Sequence, residues 1–264
     1  MRTRLKDKIA IVTGGATGIG AAISHQFGRE GAAVVVNGLP GDPLEETVAA
    51  LRKEGSAAIG VEGDVSRMES ARDCIERTIN EYGKIDILVN NAGVLPPSKE
   101  LQERPVDEFC KVMSANVTTA YMMTHFALPY LQVTRGNILC TGSESGMNGK
   151  PGNVLYGAAK GWMNSFVRGL AIEQADYGIR VNCVCPGPIE TRMLKEHEAS
   201  SSADDIIPMG RRGTPEEVAN VFTFLASEEA SFITGLLFFV DGGESFAKGL
   251  PGRTVPEPID RPPE

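Results

Sequence analysis

Tyr156 and Lys160 stand four positions apart in a segment whose pattern predicts a helix, so both side chains lie on one face, one turn apart. A free tyrosine is a poor base at neutral pH because its pKa is about 10. An ammonium about 4 Å away, at an effective dielectric constant near 20, can stabilise a phenolate by roughly 4 kcal/mol. The pair is a candidate general acid and base, although most Tyr–Lys pairs at this spacing are structural.

Two further polar residues stand where they could assist such a pair. Ser143 follows a predicted strand thirteen residues before Tyr156. A hydroxyl there can hydrogen-bond a substrate carbonyl and stabilise developing negative charge, because ligands of open α/β sheets bind at the carboxyl ends of strands. Asn116 lies inside a long predicted helix, where asparagine is a weak helix former.

A glycine-rich turn, Thr13–Gly20, separates the first predicted strand from the first predicted helix. Its glycines let the backbone approach a pyrophosphate, and the helix N-terminus supplies free amides and a favourable dipole. The strand–turn–helix setting favours a dinucleotide site, but a structural turn would also be rich in glycine.

The usual companion of such a turn is an acid at the end of the second strand, which accepts from the ribose 2′-hydroxyl. That position is Gly38, so the signature for NAD(H) is missing. Neither Leu39 nor Thr17 is basic, so the signature for NADP(H) is missing too. The lack of an acid favours NADP(H), and both cofactors remain open.

Short apolar runs alternate with longer amphipathic ones along the chain. The strands predicted from runs rich in Val and Ile are Ile9–Thr13, Ala33–Asn37, Ala57–Glu62, Ile85–Val89, Gly136–Thr141, Arg180–Val184 and Leu236–Val240. The predicted helices are Ile19–Glu30, Pro43–Glu54, Met68–Tyr82, Val106–Leu131, Val154–Tyr177 and Pro215–Ala226. This order predicts an α/β fold: a doubly wound, seven-stranded parallel sheet with helices on both faces.

Two helix starts carry capping signals. Asp42–Pro43 predicts an N-cap followed by proline at the first helical position. Thr214–Pro215 repeats that pattern, and Glu217 three residues after Thr214 predicts a capping box.

The composition excludes several classes of partner. The net charge of −8 and the pI of about 5.1 argue against nucleic acid. Five scattered cysteines indicate no disulfide framework and favour a reducing compartment, the cytoplasm. Cys183 and Cys185 share one strand face, but without a second ligand pair we expect no metal. No segment is apolar enough to span a bilayer, and the charged N-terminus is not a signal peptide.

Taken together, these motifs resemble the single-domain branch of the short-chain dehydrogenase/reductase family from about Leu5 to Ser245. The matching motifs are Thr13-Gly14 with Gly18-Ile19-Gly20, Gly63-Asp64-Val65, Asn90-Asn91-Ala92-Gly93, Asn116, Ser143, Tyr156-Gly157-Ala158-Ala159-Lys160, Pro186-Gly187, Ile233-Thr234-Gly235 and Val240-Asp241-Gly242-Gly243. One departure is Gly142, which stands where the family often has a second serine.

The resemblance implies a Rossmann fold and a role for each catalytic candidate. Tyr156 would donate the proton in reduction and accept it in oxidation. Lys160 would stabilise the phenolate and bind the nicotinamide ribose, and Ser143 would orient and polarise the carbonyl. Asn116 would distort its helix and hold a water that continues a proton relay through Lys160.

The resemblance also implies a set of contacts with NAD(P)(H), running from the pyrophosphate to the adenine, the adenosine side and the nicotinamide. These residues are Gly14, Thr17, Gly18, Ile19 and Gly20, then Asp64 and Val65, then Asn90, Ala92 and Gly93, and finally Pro186, Gly187, Ile189 and Thr191, together with Tyr156 and Lys160. No metal is implied.

We expect residues 1–246 to form one catalytic domain and 247–264 a proline-rich tail, which is either disordered or extended, or else lies on a neighbouring subunit. The polar stretch Lys195–Pro208 predicts a mobile loop, which the resemblance makes a substrate lid. The family is usually tetrameric, which implies a homotetramer paired through the segments 106–131 and 154–177 and through the C-terminal strand.

The implied substrate is a small carbonyl compound or alcohol, and the resemblance is nearest to 3-oxoacyl-carrier reductases and sugar or polyol dehydrogenases. The absence of a strong basic patch near the lid argues against an acyl carrier. Two alternatives remain: a dinucleotide-binding regulatory protein without turnover, which usually lacks the Tyr or the Lys, and an enoyl reductase, in which the Tyr-to-Lys spacing is longer.

Overall fold

The computed structural model describes residues 3–197 and 207–247. Its strands form one parallel sheet in the order β3-β2-β1-β4-β5-β6-β7. The strands are β1 (Ile9–Val12), β2 (Ala33–Gly38), β3 (Ala58–Glu62), β4 (Ile87–Asn90), β5 (Asn137–Thr141), β6 (Arg180–Pro186) and β7 (Leu237–Val240). The predicted doubly wound, seven-stranded α/β fold is thereby confirmed.

Helices connect these strands on both faces of the sheet. They are α1 (Gly18–Arg29), α2 (Leu44–Lys53), α3 (Met68–Tyr82), α4 (Val106–Met113), α5 (Thr119–Thr134), α6 (Val154–Glu173), α7 (Arg192–His197), α8 (Pro215–Ala226) and α9 (Glu244–Ala247). No helix among residues 3–197 and 207–247 combines the length and the apolar composition needed to cross a bilayer.

The core is split into two layers by the sheet. Helices α1, α2 and α8 cover one face, where Phe27 and Phe222 are fully buried. Helices α3, α5 and α6 cover the other, where Met123 and Leu131 are fully buried. Each such side chain contributes about 1.5–3 kcal/mol through removal of apolar surface from water, so both layers hold the sheet rigid beneath its loops.

Successive strands are added to opposite sides of β1, so the strand order switches between β1 and β4. Strands β2 and β3 lie on one side of β1, and β4 to β7 lie on the other. The loops that follow β1 and β4 therefore diverge and leave a crevice at the carboxyl ends of the strands, which is where open α/β sheets bind ligands.

The helix predicted over Val106–Leu131 is divided into α4 and α5, and it ends three residues later than predicted. Its centre is a π-helical turn over Ser114–Thr118, and α5 continues to Thr134. Thr119 begins α5 and donates from its hydroxyl to Ala115 O at 2.9 Å. The predicted distortion at Asn116 is therefore seen in the backbone itself, since π-turns insert one residue into a helix and often mark functional sites.

The N-cap predicted for Asp42 is wrong. Helix α2 begins at Leu44, and Pro43 precedes it with a non-helical ψ of 51°. The Asp42 carboxylate is already engaged with the preceding turn, because its Oδ2 accepts from the Leu39 amide at 2.8 Å. The capping box at Thr214 and Glu217 is confirmed at the start of α8.

Helix α6 is shorter than the predicted Val154–Tyr177 because it ends at Glu173 and a 3₁₀ turn, Ala175–Tyr177, follows. The first three residues of the predicted loop Lys195–Pro208 belong to α7, and residues 198–206 lie outside the described part of the chain. The tail 247–264 lies outside it too, apart from Ala247, so the proposed domain boundary stays a prediction.

Candidate active site

The glycine-rich turn between β1 and α1 is built so that only glycine fits at several positions. Gly14 and Gly18 have φ values of 59° and 50°, a region that side chains rarely adopt. A Cβ on Gly20 would overlap the Gly14 carbonyl and lie 2.6 Å from Asn91 Nδ2. Thr17 precedes the first turn of α1 and is exposed, and Ile19 is half-buried. The bare backbone and the free helix N-terminus fit a pyrophosphate.

Asn91, which sequence reasoning passed over in favour of its neighbour Asn90, ties this turn to the middle of the sheet. Its Nδ2 donates to Thr13 O at 3.0 Å and to Gly14 O at 3.3 Å. Its Oδ1 accepts from the Thr141 hydroxyl at 3.0 Å. One side chain thus holds the carboxyl ends of β1, β4 and β5 in register.

Asn90 itself points away from the crevice. Its side chain is buried and donates to Thr124 Oγ1 on α5 at 2.9 Å. Its buried Oδ1 accepts no hydrogen bond from the described residues. Ala92 is better placed, since its amide donates to Thr13 Oγ1 at 3.0 Å and its Cα lies against the Gly14 position.

Asp64 and Val65 follow β3 at the far side of the crevice. Gly63, just before them, donates from its amide to Gly38 O at 2.9 Å, which brings them beside the end of β2. Asp64 Oδ1 accepts from the Ser66 amide at 3.0 Å, and Val65 is buried. This arrangement fits the predicted contact with an adenine, an apolar contact beside a polar edge.

The catalytic candidates meet around the buried ammonium of Lys160. Its Nζ donates to Thr141 O at the end of β5 at 2.8 Å and lies 5.5 Å from the ring centroid of Tyr156. Ser143 comes two residues after Thr141, and its Oγ accepts from the Ser145 amide at 3.1 Å.

The 3₁₀ turn Glu144–Gly146 carries Ser143 against the first turns of α6. A Cβ on Gly146 would lie 2.7 Å from the Lys160 carbonyl carbon, and a Cβ on Gly157 would lie 3.0 Å from Ser145 O. Backbone therefore packs directly against backbone at these two glycines, and Asn164 Nδ2 on α6 donates to Gly146 O at 3.2 Å, which ties the serine loop to the helix that bears Tyr156 and Lys160.

Asn116 lies on the other side of Lys160. Its Nδ2 donates to Val94 O and to Val112 O, both at 3.0 Å, which fixes the orientation of the amide. Its buried Oδ1 accepts no hydrogen bond from the described residues. A Cβ on Gly93 would lie 2.5 Å from that Oδ1 and 3.6 Å from Lys160 Nζ, so the absence of a side chain at Gly93 leaves the two atoms facing one gap.

The remaining candidates follow β6. Pro186 ends that strand, and a Cβ on Gly187 would lie 2.7 Å from Asp241 Cβ, so this approach also requires glycine. Ile189 is buried and pairs with Gly213. Thr191 lies beside the glycine-rich turn, because its Cγ2 is 3.5 Å from a Cβ placed on Gly18. The segment after β6 thus returns to the glycine-rich turn.

Three thiols lie beneath this site and explain the departure at Gly142. Cys183 and Cys185 Sγ are 3.8 Å apart on one face of β6, and a Cβ on Gly142 would lie 2.6 and 2.7 Å from them. A second serine would not fit there. Burial raises the pKa of Cys140 to about 12. No group of three or more metal-binding side chains occurs among residues 3–197 and 207–247.

Comparisons with known proteins identify the family to which the chain belongs. The family model described as enoyl-(acyl carrier protein) reductase, which belongs to the short-chain dehydrogenase/reductase family, matches residues 14–245. L-fucose dehydrogenase of Oryctolagus cuniculus is 36% identical over 274 aligned residues, covering 98% of this chain and 95% of that protein. Glucose 1-dehydrogenase 2 of Bacillus subtilis (strain 168) is 37% identical over 246 residues, covering 90% and 95%.

Among solved structures, a 3-ketoacyl-(acyl-carrier-protein) reductase from Brucella melitensis complexed with NADH has a TM-score of 0.85 and 33% identity, covering 91% of this chain and 99% of that one. The chain belongs to the short-chain dehydrogenase/reductase family. Within it, the protein is an oxidoreductase that uses a nicotinamide dinucleotide.

Proposed function

We propose that this protein interconverts a ketone and a secondary alcohol, with Tyr156 as the group that gives or takes the proton. The observation that carries the proposal is the buried Lys160 ammonium. It is held by Thr141 O at 2.8 Å, beside the Tyr156 ring and across a gap from Asn116 Oδ1. A buried cation next to a phenol favours the phenolate, which makes the tyrosine a usable base.

Lys160 and Asn116 supply a route for the proton behind Tyr156. Asn116 Oδ1 is a buried acceptor without a protein donor among the described residues, and such groups usually bind an ordered water. A water there can receive a proton passed on from Lys160. Ser143 assists at the other end, where its hydroxyl can donate to the substrate oxygen.

A bound nicotinamide dinucleotide supplies or accepts the hydride. The turn that contains Gly14, Gly18 and Gly20 would hold its pyrophosphate, Asp64 and Val65 its adenine, and Gly187, Ile189 and Thr191 its nicotinamide end. The bare backbone at Gly14, Gly20 and Gly187 supports this assignment, because side chains there would fill the groove or clash with its walls.

The residues at the end of β2 bear on the preference between NAD(H) and NADP(H). The missing acid at Gly38 favoured NADP(H) over NAD(H). The position of the Asp42 carboxylate, 3.2 Å from a Cβ placed on Gly38, weighs against that preference.

The substrate is a small molecule, and the names of the relatives point to hydroxylated ones. The matched proteins act, by their names, on L-fucose, on glucose and on a 3-ketoacyl group. We infer a sugar or polyol, because no strong basic patch near Arg192–His197 is evident in the sequence to attract an acyl carrier.

A homotetramer is supported by exposed apolar side chains in two places. Val106, Phe109 and Tyr121 are exposed on α4 and α5, and Phe232 and Phe246 are exposed near β7. Large apolar side chains left in water at two separate faces are typical of subunit interfaces. The five free cysteines support the reducing cytoplasm as the compartment.

The experiment is a pair of measurements on wild type and Tyr156→Phe. Nucleotide binding is titrated by fluorescence, and turnover is followed at about 340 nm with a panel of sugars, polyols and ketones. We expect Tyr156→Phe to bind nucleotide as wild type does and to lose turnover. Full activity in that variant would refute the mechanism, and binding without turnover on any substrate would favour the regulatory alternative.

A further inference from the structure

The last residue of β2 is a glycine, but a carboxylate from another residue lies beside it. Gly38 is the last residue of β2, and a Cβ built on it would lie 3.2 Å from Oδ2 of Asp42. Asp42 stands four residues further along, in the turn before α2. The chain therefore bends back and places an acid beside the position where the strand itself offers none.

This carboxylate lies on the side of β2 that faces the glycine-rich turn. The same Cβ on Gly38 would be 3.6 Å from Cβ of Ala16, which belongs to that turn. A side chain at position 38 would therefore enter the groove between β2 and the turn. Asp42 reaches this entrance from the turn before α2 rather than from the strand.

The turn from Leu39 to Asp42 holds the acid in place. Oδ2 of Asp42 accepts from the Leu39 amide at 2.8 Å, and the Asp42 amide donates to Leu39 O at 3.0 Å. Gly41 has a φ of 92°, which lets the turn close. Within the described chain no donor bonds to Oδ1 of Asp42, so one oxygen fixes the side chain and the other remains able to accept.

The surroundings of Asp42 are strongly anionic. A cavity of about 350 Å³ at this edge of the sheet is lined by Asp42, Pro43, Leu44, Glu45, Glu46, Gly60, Glu62 and Arg77. Four of these side chains are acids and Arg77 is the one cation, which donates to Gly60 O at 3.3 Å. A dianionic phosphate next to this edge would be repelled, whereas a neutral hydroxyl would not.

We propose that Asp42 reads the 2′-position of the adenosine ribose and makes this protein prefer NAD(H) to NADP(H). The inference rests on the proposed function, because it assumes that the groove holds a nicotinamide dinucleotide. Oδ1 of Asp42 accepts from the ribose 2′-hydroxyl. The same carboxylate repels a 2′-phosphate.

The test compares dissociation constants for NADH and NADPH, measured by fluorescence titration without substrate. Asp42→Asn keeps an oxygen that can accept from the Leu39 amide but removes the charge, and Asp42→Ser does the same with a hydroxyl. Glu45→Gln is the matched control, since it removes one charge from the same cavity but none from the turn. Circular dichroism and melting temperature establish that each variant is folded.

We expect the wild type to bind NADH at least about 10-fold more tightly than NADPH, and Asp42→Asn to reduce that ratio by about 10-fold. Glu45→Gln should change the ratio much less. Equal or tighter binding of NADPH by the wild type, or an unchanged ratio in both folded Asp42 variants, would overturn the inference while leaving the proposed function intact. If neither nucleotide binds, the proposed function fails and the inference fails with it.

Discussion

Lys160 Nζ donates a 2.8 Å hydrogen bond to the backbone carbonyl of Thr141, the last residue of β5. A helix side chain is thereby fixed to the carboxyl edge of the sheet, with its charge buried beside Tyr156. Burying an ammonium is costly unless it is paired or hydrogen-bonded, so this position is unlike that of a surface lysine used for solubility.

Replacing this lysine should therefore separate catalysis from folding. Lys160→Met keeps the length of the aliphatic chain but removes the charge, and we expect turnover at pH 7 to fall by about 100-fold or more. Turnover is followed at about 340 nm and folding by circular dichroism. A folded variant with wild-type turnover would mean that Lys160 is merely structural.

Gly93 borders the gap between Asn116 Oδ1 and Lys160 Nζ. A side chain at position 93 would fill this gap and so test the proposed proton relay. In Gly93→Ala the new methyl group would lie 2.5 Å from Asn116 Oδ1 and 3.6 Å from Lys160 Nζ, leaving no room for a water. We expect turnover to drop at least about 10-fold, mainly in kcat, since the proton path and not substrate binding is blocked. Gly149→Ala is the control, because a Cβ there meets nothing within 4 Å. Equal kinetics in the two variants would contradict the relay.

The capping box of α8 should be measurable as stability. Thr214 Oγ1 accepts from the Glu217 amide at 3.3 Å, and Glu217 Oε2 accepts from the Thr214 amide at 2.8 Å. Thr214→Ala removes half of this pair and should lower the free energy of unfolding by about 1 kcal/mol, measured by urea denaturation. Thr214→Ser keeps the hydroxyl and should lose only a fraction of that amount. A loss as large in Thr214→Ser as in Thr214→Ala would point to the methyl group instead.

The fold could be predicted from the sequence because its signals are local and repeated. Continuous Val- and Ile-rich runs mark buried parallel strands, and all seven predicted strands occur in the sheet with ends shifted by a few residues. The boundaries were less predictable. The helix over 106–131 breaks at Asn116 because a side-chain bond to Val112 O competes with the regular backbone ladder, and sequence periodicity does not register such competition.

Site residues could be proposed from the sequence only where the residue type and its spacing by themselves indicate a function. Glycines at 14, 18 and 20 and the Tyr156–Lys160 spacing carry their chemistry in their identity. Asn91 was missed because its role depends on three strand ends that are distant in sequence. The position of Asp42 was also hidden, since its local signal as a helix cap is the same as the signal of the turn that it actually closes.

The exposed phenylalanines on two faces should reveal the subunit arrangement. Phe109 on α4 is half exposed, and Phe232 before β7 is fully exposed, so an aspartate at either position costs little within one subunit. We expect Phe109→Asp and Phe232→Asp each to convert a tetramer into dimers, and the double variant to give monomers, as judged by light scattering after size exclusion. Either variant alone serves as the control for the other. A wild-type mass equal to that of one chain, or tetramers in all variants, would exclude these interfaces.

Buried thiols should make the protein lose stability at alkaline pH. Burial raises the pKa of Cys74 from its ordinary value of 9.0 to about 12. Above pH 9 the unfolded chain releases this proton while the folded chain retains it, so the unfolded state binds fewer protons and the free energy of unfolding falls as pH rises. One such thiol contributes a slope of up to about 1.4 kcal/mol per pH unit between the two values.

A comparison of two alanine variants isolates that contribution. Cys74→Ala should show a shallower loss of stability between about pH 9 and 10.5 than wild type, measured by urea denaturation at several pH values. It should also be less stable at neutral pH, because a buried sulfur is removed from the packing between α3 and the sheet. Cys110→Ala removes an exposed thiol on α4 and should leave the slope unchanged. If Cys74→Ala keeps the wild-type slope, the alkaline loss arises from groups other than this thiol.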